Sequence, residues 1–398
     1  MTSKRVTFAE LGSLARRKGA LVLCLGLFTL GLSLSATAQE TNATITTFDA
    51  PGAGTMSGQG TIAVSINLEG TIAGYYFDTN NVVHGFLFAP PYTTFTTIDA
   101  PGAGTSAGQG TIAVSNNLFG AIAGYYVDAT GVAHGFLAAP PYATFTTFSA
   151  PGAGTGAGQG TLAVNINPAG AIAGDIVDIN GAYHGFLRTP SGTFTTFDAP
   201  GAGTGAGQGT YTANVIGLNL EGAITGEYFD ANNVAHGYVR AARGAITPYN
   251  VTDAGTANLP GCESTFTCEG TYSSGINDLG VTASNYIDPN GVSHGYIRRP
   301  SGAITTFNVA GAGTGAGQGT VPEGLNVERA ITGQYVDASS VNHGFLRDPF
   351  GHITTFDAPG AGTGAGQGTI PGTPNVFGAI TGYDIDGSGV YHGFLRTP

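Results

Sequence analysis

Seven histidines and seven aspartates recur with one spacing along this chain, and both residue types can bind metal ions or carry protons. Each His precedes a Gly and follows an Asp by six residues. The histidines are His84, His134, His184, His236, His294, His343 and His392, and the aspartates are Asp78, Asp128, Asp178, Asp230, Asp288, Asp337 and Asp386. Imidazole titrates near neutral pH and is a common metal ligand, and carboxylates suit Ca²⁺. The pattern therefore raises a metal site, a pH switch or a calcium-binding ring as hypotheses.

A structural role competes with each of these hypotheses. An Asp at the first position of a turn accepts hydrogen bonds from the backbone two residues later. The His and the Asp six residues before it would then meet across one hairpin and lock it. Equivalent residues of a circular repeat lie far apart rather than around one ion. The sequence therefore favours structural repeat positions and predicts no metal and no cofactor, with calcium as the alternative.

Four residues stand out because they break the repeat. Asp175 replaces the usual Tyr in the third unit, and the fifth unit carries an insertion that contains Glu263, Phe266 and Glu269. The fifth unit also lacks the Gln found in the other linkers. Since a unique function needs unique residues, these four are the candidate binding residues. Glu263, Phe266 and Glu269 are expected to project from the insertion. For the insertion, the alternative is a loop that has diverged in sequence without gaining a function and is held by a disulfide. No residue pair in the sequence supports a catalytic assignment.

The period of the repeat predicts the strands on which these residues lie. Successive His-Gly pairs are 50, 50, 52, 58, 49 and 49 residues apart, which is typical of a repeat architecture. Each unit contains four short runs of strand-forming residues separated by Asn-, Asp-, Gly- or Pro-containing turns. Residues 110–117, 120–128, 132–137 and 143–148 are those runs in the second unit. The sequence thus predicts an all-β, seven-bladed β-propeller of four-stranded antiparallel blades.

The two ends of the chain favour a closed ring over the alternative, an open β-solenoid. Residues 45–48 resemble a fourth strand with no unit before it, and residues 392–396 resemble a third strand with no fourth after it. Pairing them would complete the last unit and remove the exposed edges. A solenoid would also be expected to have atypical capping repeats, and the terminal units here are regular.

The repeat resembles a known family. Its Gly-x-Ile-x-Gly-x-Tyr-x-Asp pattern followed by His-Gly-Phe-Leu, as in residues 120–137, is similar to the HAF-type repeats of bacterial extracellular proteins, named for a His-Ala-Phe core. This chain has Gly in place of that Ala. The resemblance covers nearly all of residues 45–397 and implies export, a propeller and no settled activity.

The N-terminal segment and the charge indicate an exported protein. Residues 1–38 combine a basic start, an apolar run and an Ala-Thr-Ala site, as in a signal peptide, which leaves 39–398 as a single repeat domain. The net charge of -12 argues against nucleic-acid partners and, after signal cleavage, against membrane surfaces. Cys262 and Cys268 are then expected to form a disulfide in an oxidising compartment, outside the cell or in the periplasm.

The function predicted from the sequence is a binding or structural module without catalysis. Its ligand is unknown, and a glycan or a protein surface is the expected class of partner. Two alternatives remain open: a secreted carbohydrate-active enzyme on a propeller scaffold, and a calcium-stabilised adhesin.

Overall fold

Short runs that combine β-branched and aromatic residues with Gly and Ala form most strands of the computed structural model. It describes residues 43–213, 215–257, 262 and 267–398, of which Thr44–Pro398 form one compact unit. Within these residues the regular structure consists of 29 strands in one sheet, and no helix is long and apolar enough to cross a membrane. The predicted all-β class is confirmed. The predicted signal peptide, 1–38, lies outside the described residues.

The strands, in chain order, are β1 (Thr44–Phe48), β2 (Gly60–Ile66), β3 (Ile72–Phe77), β4 (Val83–Phe88), β5 (Phe95–Ile98), β6 (Gly110–Asn116), β7 (Ile122–Val127), β8 (Ala133–Ala138), β9 (Phe145–Phe148), β10 (Gly160–Ile166), β11 (Ile172–Val177), β12 (Tyr183–Arg188), β13 (Phe194–Phe197), β14 (Gly209–Thr212), β15 (Ile224–Phe229), β16 (Ala235–Arg240), β17 (Ile246–Tyr249), β18 (Gly270–Thr271), β19 (Gly275–Ile276), β20 (Thr282–Ile287), β21 (Ser293–Arg298), β22 (Ile304–Phe307), β23 (Gly319–Leu325), β24 (Ile331–Val336), β25 (Asn342–Arg347), β26 (Ile353–Phe356), β27 (Gly368–Pro374), β28 (Ile380–Ile385) and β29 (Tyr391–Thr397).

Successive strands of a unit pair antiparallel. In the second unit β6 pairs with β7, β7 with β8 and β8 with β9. The expected first strand of the fifth unit is divided into β18 and β19, which both pair with β20. The gap between the two pieces includes Ser273, whose backbone N–H donates to the Glu227 carboxylate of the preceding unit at 3.3 Å.

The sheet closes on itself. β1 pairs antiparallel with β29 from Thr44↔Thr397 to Phe48↔Gly393, and β2 meets β29 at a parallel bridge between Gly60 and Tyr391. Gly60 has φ +117°, and a Cβ there would lie 2.1 Å from the Tyr391 carbonyl oxygen, so the approach requires glycine. The predicted closure by the terminal strands is confirmed.

The core lies between neighbouring units rather than within them. One cluster joins Leu87 and Ile98 of the first unit to Ile122 and Phe136 of the second. Another joins Phe86 of the first unit to Leu395 near the end of the chain. Each unit therefore depends on both neighbours for burial of its apolar side chains. Contacts between adjacent units stabilise stacked repeats in the same way.

A ring of seven buried asparagines ties the units together at one end. Each side-chain Nδ2 donates to the backbone oxygen of the equivalent Asn in the next unit, and the last donates to the first. The ring consists of Asn67, Asn117, Asn167, Asn219, Asn277, Asn326 and Asn375, with donor–acceptor distances from 3.0 to 3.4 Å. The ring is therefore continuous around the molecule.

Replacing one asparagine of this ring is expected to destabilise the whole protein. Asn167 donates to the Asn219 oxygen at 3.0 Å and accepts from the Ala171 N–H at 3.0 Å, so Asn167→Ala leaves two backbone groups without these partners. We expect a loss of about 2–3 kcal/mol in the free energy of unfolding, measured by urea titration. Asn180→Ala, at an exposed turn of the same unit, is the control. Equal effects of the two substitutions would contradict the role of the ring.

Candidate binding cavity

A central cavity of about 750 Å³ is lined by residues from all seven units. The fourth residue of each second strand reaches it, and this position differs in chemistry from unit to unit. The seven residues are Tyr75, Tyr125, Asp175, Glu227, Asn285, Gln334 and Tyr383. Gly precedes the position in every unit but the fifth, where Ser284 stands. The repeat thus holds its scaffold constant and varies the residue that faces the cavity.

Asp175 is held in the cavity wall by the next unit. Its Oδ1 accepts the backbone N–H of Thr212 at 2.7 Å, and only 5% of the residue is exposed. Burial raises the pKa of the Asp175 carboxyl to about 7, although the hydrogen bonds from Thr212 act in the opposite direction. Asp175, singled out by the sequence, therefore lies in the cavity as a buried acid that titrates near neutral pH.

Glu227 repeats this arrangement one unit later. Its Oε2 accepts the Ser273 N–H at 3.3 Å, and the residue is 9% exposed. Burial raises the pKa of the Glu227 carboxyl to about 8, and repulsion from Asp175 and Glu323 adds to the effect. Repulsion of this kind means that the three acids share one electrostatic environment.

The third acid, Glu323, comes from the first strand of the sixth unit. Burial raises the pKa of its carboxyl to about 7, and a hydrogen bond with Gln334 opposes the shift. The Gln334 Oε1 atom is buried and has no hydrogen-bond partner in the described part of the chain. The acidic side of the cavity therefore contains three carboxyl groups and at least one unused acceptor.

Aromatic and aliphatic side chains form the rest of the wall. Six tyrosines line the cavity: Tyr75, Tyr125, Tyr183, Tyr211, Tyr272 and Tyr383. Tyr183 and Tyr211 stack with ring centroids 4.0 Å apart. Ile62, Val64, Ile112 and Val114 form an aliphatic stretch in the first two units. No Lys, Arg or His is among the described residues that line this cavity.

The seven His–Asp pairs lie apart from the cavity, each within its own unit. The distance from His Nε2 to the Asp Oδ2 six residues earlier is between 3.1 and 3.9 Å. The Oδ1 atom of each Asp accepts backbone N–H groups of the turn, as from Asn80 and Val82 to Asp78. The described residues contain no group of three or more His, Cys, Asp or Glu that could hold a metal ion.

The seventh pair differs because it lies at the closure of the ring. His392 Nδ1 is 2.9 Å from Asp49 Oδ1, which the N-terminal strand brings there. Asp384 occupies the place of the Tyr that stacks on His in the first, second, fourth, fifth and sixth units. Its two carboxyl oxygens are buried with no hydrogen-bond partner among the described residues. Burial raises the pKa of Asp384 to about 6.

The fifth-unit insertion differs from expectation. The Cys262–Cys268 disulfide is confirmed, and Glu263 and Phe266 lie outside the described residues. Glu269 does not project: it is 7% exposed, and its Oε2 accepts the Ala257 N–H at 2.6 Å. In the third unit Gln159 Oε1 accepts the equivalent Gly156 N–H at 2.9 Å. Glu269 therefore takes the place of the linker Gln that this unit lacks.

The equivalence of Glu269 with the linker glutamines can be tested by substitution. Glu269→Gln keeps an acceptor for the Ala257 N–H, so we expect a change in unfolding free energy within about 0.5 kcal/mol. Glu269→Ala removes the acceptor and is expected to cost about 1–3 kcal/mol. Urea titration of both variants measures the difference. If glutamine is as damaging as alanine, the carboxylate has a role of its own.

Sequence reasoning missed Glu227 and Glu323. The signal for Glu227 was the one that singled out Asp175, a departure from Tyr at the same repeat position. Glu323 departs likewise from Val64, Val114 and Val164 at an equivalent first-strand position. These signals carried little weight because nothing in the sequence says which side of a strand faces the ring centre.

Comparison with known proteins supports the fold and leaves the ligand open. No protein-family model and no curated protein sequence matches the chain. The structure of streptogramin B lyase aligns with a TM-score of 0.51 at 13% identity, over 89% of this chain and 97% of that one. The BP39L lectin of Burkholderia pseudomallei aligns with a TM-score of 0.48 at 12% identity, over 85% and 98%. At such identities the likeness to the lyase shows a propeller-like fold alone.

Proposed function

We propose that this chain is an exported, seven-bladed β-propeller that binds a small polar ligand in its central cavity. Each repeat unit would be one blade, with the fifth blade's first strand divided into β18 and β19. Seven equivalent bridges between units, as at Gly60–Tyr391 and Gly110–Val83, support this reading, as does the asparagine ring. The disulfide supports an oxidising compartment, and the HAF-type pattern agrees with export.

The observation that carries the binding function is the variation at one repeat position. A purely structural ring has no need for Tyr, Asp, Glu, Asn and Gln at equivalent positions around one cavity. Burying acids there also has a cost, because the charged forms lose their hydration. Pockets that bind small molecules combine apolar and aromatic walls with a few converging polar groups, and this cavity has that composition.

Methyl NMR of the chain from Gln39 tests this proposal. Ile62, Ile112 and Ile370 line the cavity, whereas Ile98 and Ile246 lie in fourth strands. We expect at least one member of a panel of amines, amino acids, nucleosides and oligosaccharides to shift the first group and leave the second unchanged. Shifts confined to other methyl groups, or no shifts with any compound, would refute a ligand site in the cavity.

A second candidate function is glycan hydrolysis on the same scaffold. Buried carboxyl groups with raised pKa values are the usual proton donors of such enzymes, and Asp175 and Glu227 fit that description. Product formation from a polysaccharide panel, abolished by Glu227→Gln, would support catalysis. Binding without turnover would leave the binding function alone.

A further inference from the structure

We propose that the ligand of the central cavity is an amphipathic organic cation, an amine whose charged end faces the side of the cavity formed by Asp175, Glu227 and Glu323 and whose apolar end meets the aliphatic wall. This inference rests on the proposed binding function and specifies its ligand class.

The charge of the lining supports a cation. Asp175 and Glu227 are each more than nine-tenths buried, yet the partner shown for each carboxylate is a neutral group of the next unit. The described lining residues supply no basic side chain. A buried carboxylate without a counter-ion is unfavourable, and a cation held between such groups relieves that cost. The cavity is therefore complementary to a positive ligand and repels an anion.

An unused hydrogen-bond acceptor supports an amine in particular. Gln334 lines the cavity, and its Oε1 atom is buried without a partner among the described residues. Buried acceptors of this kind are rare in folded proteins. Because Gln334 Oε1 has no exposed surface, an ammonium group could reach it only after the Gln334 side chain rotates, and would then satisfy this acceptor while it neutralises the neighbouring acids. Gln334 also hydrogen-bonds the Glu323 carboxyl through its side chain, so it belongs to the same polar side of the cavity as the acids.

The aromatic and aliphatic residues favour an amine with an apolar body. Tyrosine faces attract organic cations through their ring electrons, and Tyr183 lies close enough to Asp175 for the acid to raise its pKa further, beyond the effect of burial. Ile62, Ile112 and Val114 of the first two units come from other units than the three acids. A fully charged polyamine would leave this aliphatic stretch without a partner. A monoamine with a hydrocarbon tail matches both parts of the lining.

A neutral oligosaccharide is the main competitor, because aromatic and amide side chains also bind sugars. Sugar hydroxyls would pair with the acids in either protonation state, so they would not require charge on the ligand. The two ligand classes can therefore be separated by varying ligand charge at constant shape.

Calorimetric titration with hexylammonium, hexanol and hexanoate makes that comparison. We expect hexylammonium to bind at least about tenfold more tightly than either analogue, a difference of about 1.4 kcal/mol. Asp175→Asn and Glu227→Gln should each weaken its binding by about tenfold or more. Glu221→Gln removes one acid from an exposed turn of the fourth unit and should leave binding unchanged. Circular dichroism confirms that the variants fold.

Three outcomes would overturn the inference: equal affinity for hexanol, insensitivity of hexylammonium binding to both acid substitutions, or binding of neutral oligosaccharides alone. The last outcome would leave the cavity as a ligand site and change only the ligand class. Failure of every compound to shift the cavity methyl groups would remove the proposed function together with this inference.

Discussion

A chain that begins at Ala50 is expected to lose at least about 5 kcal/mol of unfolding free energy, which is comparable to the whole stability of many domains. The deletion removes β1 and with it the five-residue pairing to β29. It also removes Phe48, whose ring lies 4.9 Å from that of Phe88 and 6.0 Å from that of Phe95. The 2.9 Å contact between Asp49 and His392 is lost as well.

The deletion should also change the association state. β29 would become an edge strand with unpaired backbone groups, which are templates for pairing with another chain. Urea titration and light scattering measure the two effects against a chain that begins at Thr44. Thr46→Ala, an exposed position in β1, is the control for side-chain loss without loss of the strand. A monomer with an unchanged urea midpoint would show that β1 is dispensable and that closure does not stabilise the ring.

The closure could be predicted because its signal is local and repeated. Strand runs and turns recur with the period, so an incomplete set at each end identifies the missing partner. The disulfide was predictable for the same reason, since Cys262 and Cys268 are six residues apart. The role of Glu269 was obscured because the insertion separates it from its partner. Ala257 is twelve residues from Glu269, whereas Gly156 is three residues from Gln159.

The cavity was harder to predict because its contacts join neighbouring units. Asp175 and Thr212 are 37 residues apart, and Glu227 and Ser273 are 46 apart. The sequence nevertheless contains a correlation that the structure explains. Asp175 and Glu227 each accept the backbone N–H of the third residue after the Gly that begins the next unit's first strand. The same spacing in the sequence relates each of the other five cavity residues at the variable position to one residue of the next unit.

The two positions vary together around the ring. Where the cavity residue is an acid, the next unit has Thr212 or Ser273, which offer an N–H and a hydroxyl. Where it is Asn285 or Gln334, the next unit has Pro322 or Pro371, which offer no N–H. Where it is Tyr75, Tyr125 or Tyr383, the next unit has Ala113, Ala163 or Ala63. The residue type at this position of each first strand thus varies with the residue type of the preceding unit's cavity residue. A consensus sequence of the repeats does not show this relation, because it keeps only the commonest residue at each position.

The stability of the protein is expected to fall as the pH rises from 5 to 9. The pKa values of Asp175, Glu227 and Glu323 are raised to about 7, 8 and 7. When the pKa of an acid is higher in the folded than in the unfolded protein, its contribution to stability is complete below the unfolded-state pKa. This contribution is lost progressively as the pH rises through the folded-state pKa. The turn aspartates have the opposite effect on stability. For example, the hydrogen bond from the Val341 N–H lowers the pKa of Asp337, so the stability that Asp337 contributes is lost as the pH falls through its folded-state pKa. Maximum stability is therefore expected near pH 4–5.

Glu227→Gln isolates the alkaline part of this profile. Glutamine keeps an acceptor for the Ser273 N–H and cannot ionise, so at pH 9 the variant is expected to be more stable than the wild type by about 2–4 kcal/mol. At pH 5, where Glu227 is protonated, the difference should be small. Urea titrations at the two pH values measure both quantities, with Glu221→Gln as the exposed control. If the advantage of glutamine is the same at both pH values, the carboxyl of Glu227 does not titrate between them, and the acids of the cavity are already neutralised or hydrated in the folded protein.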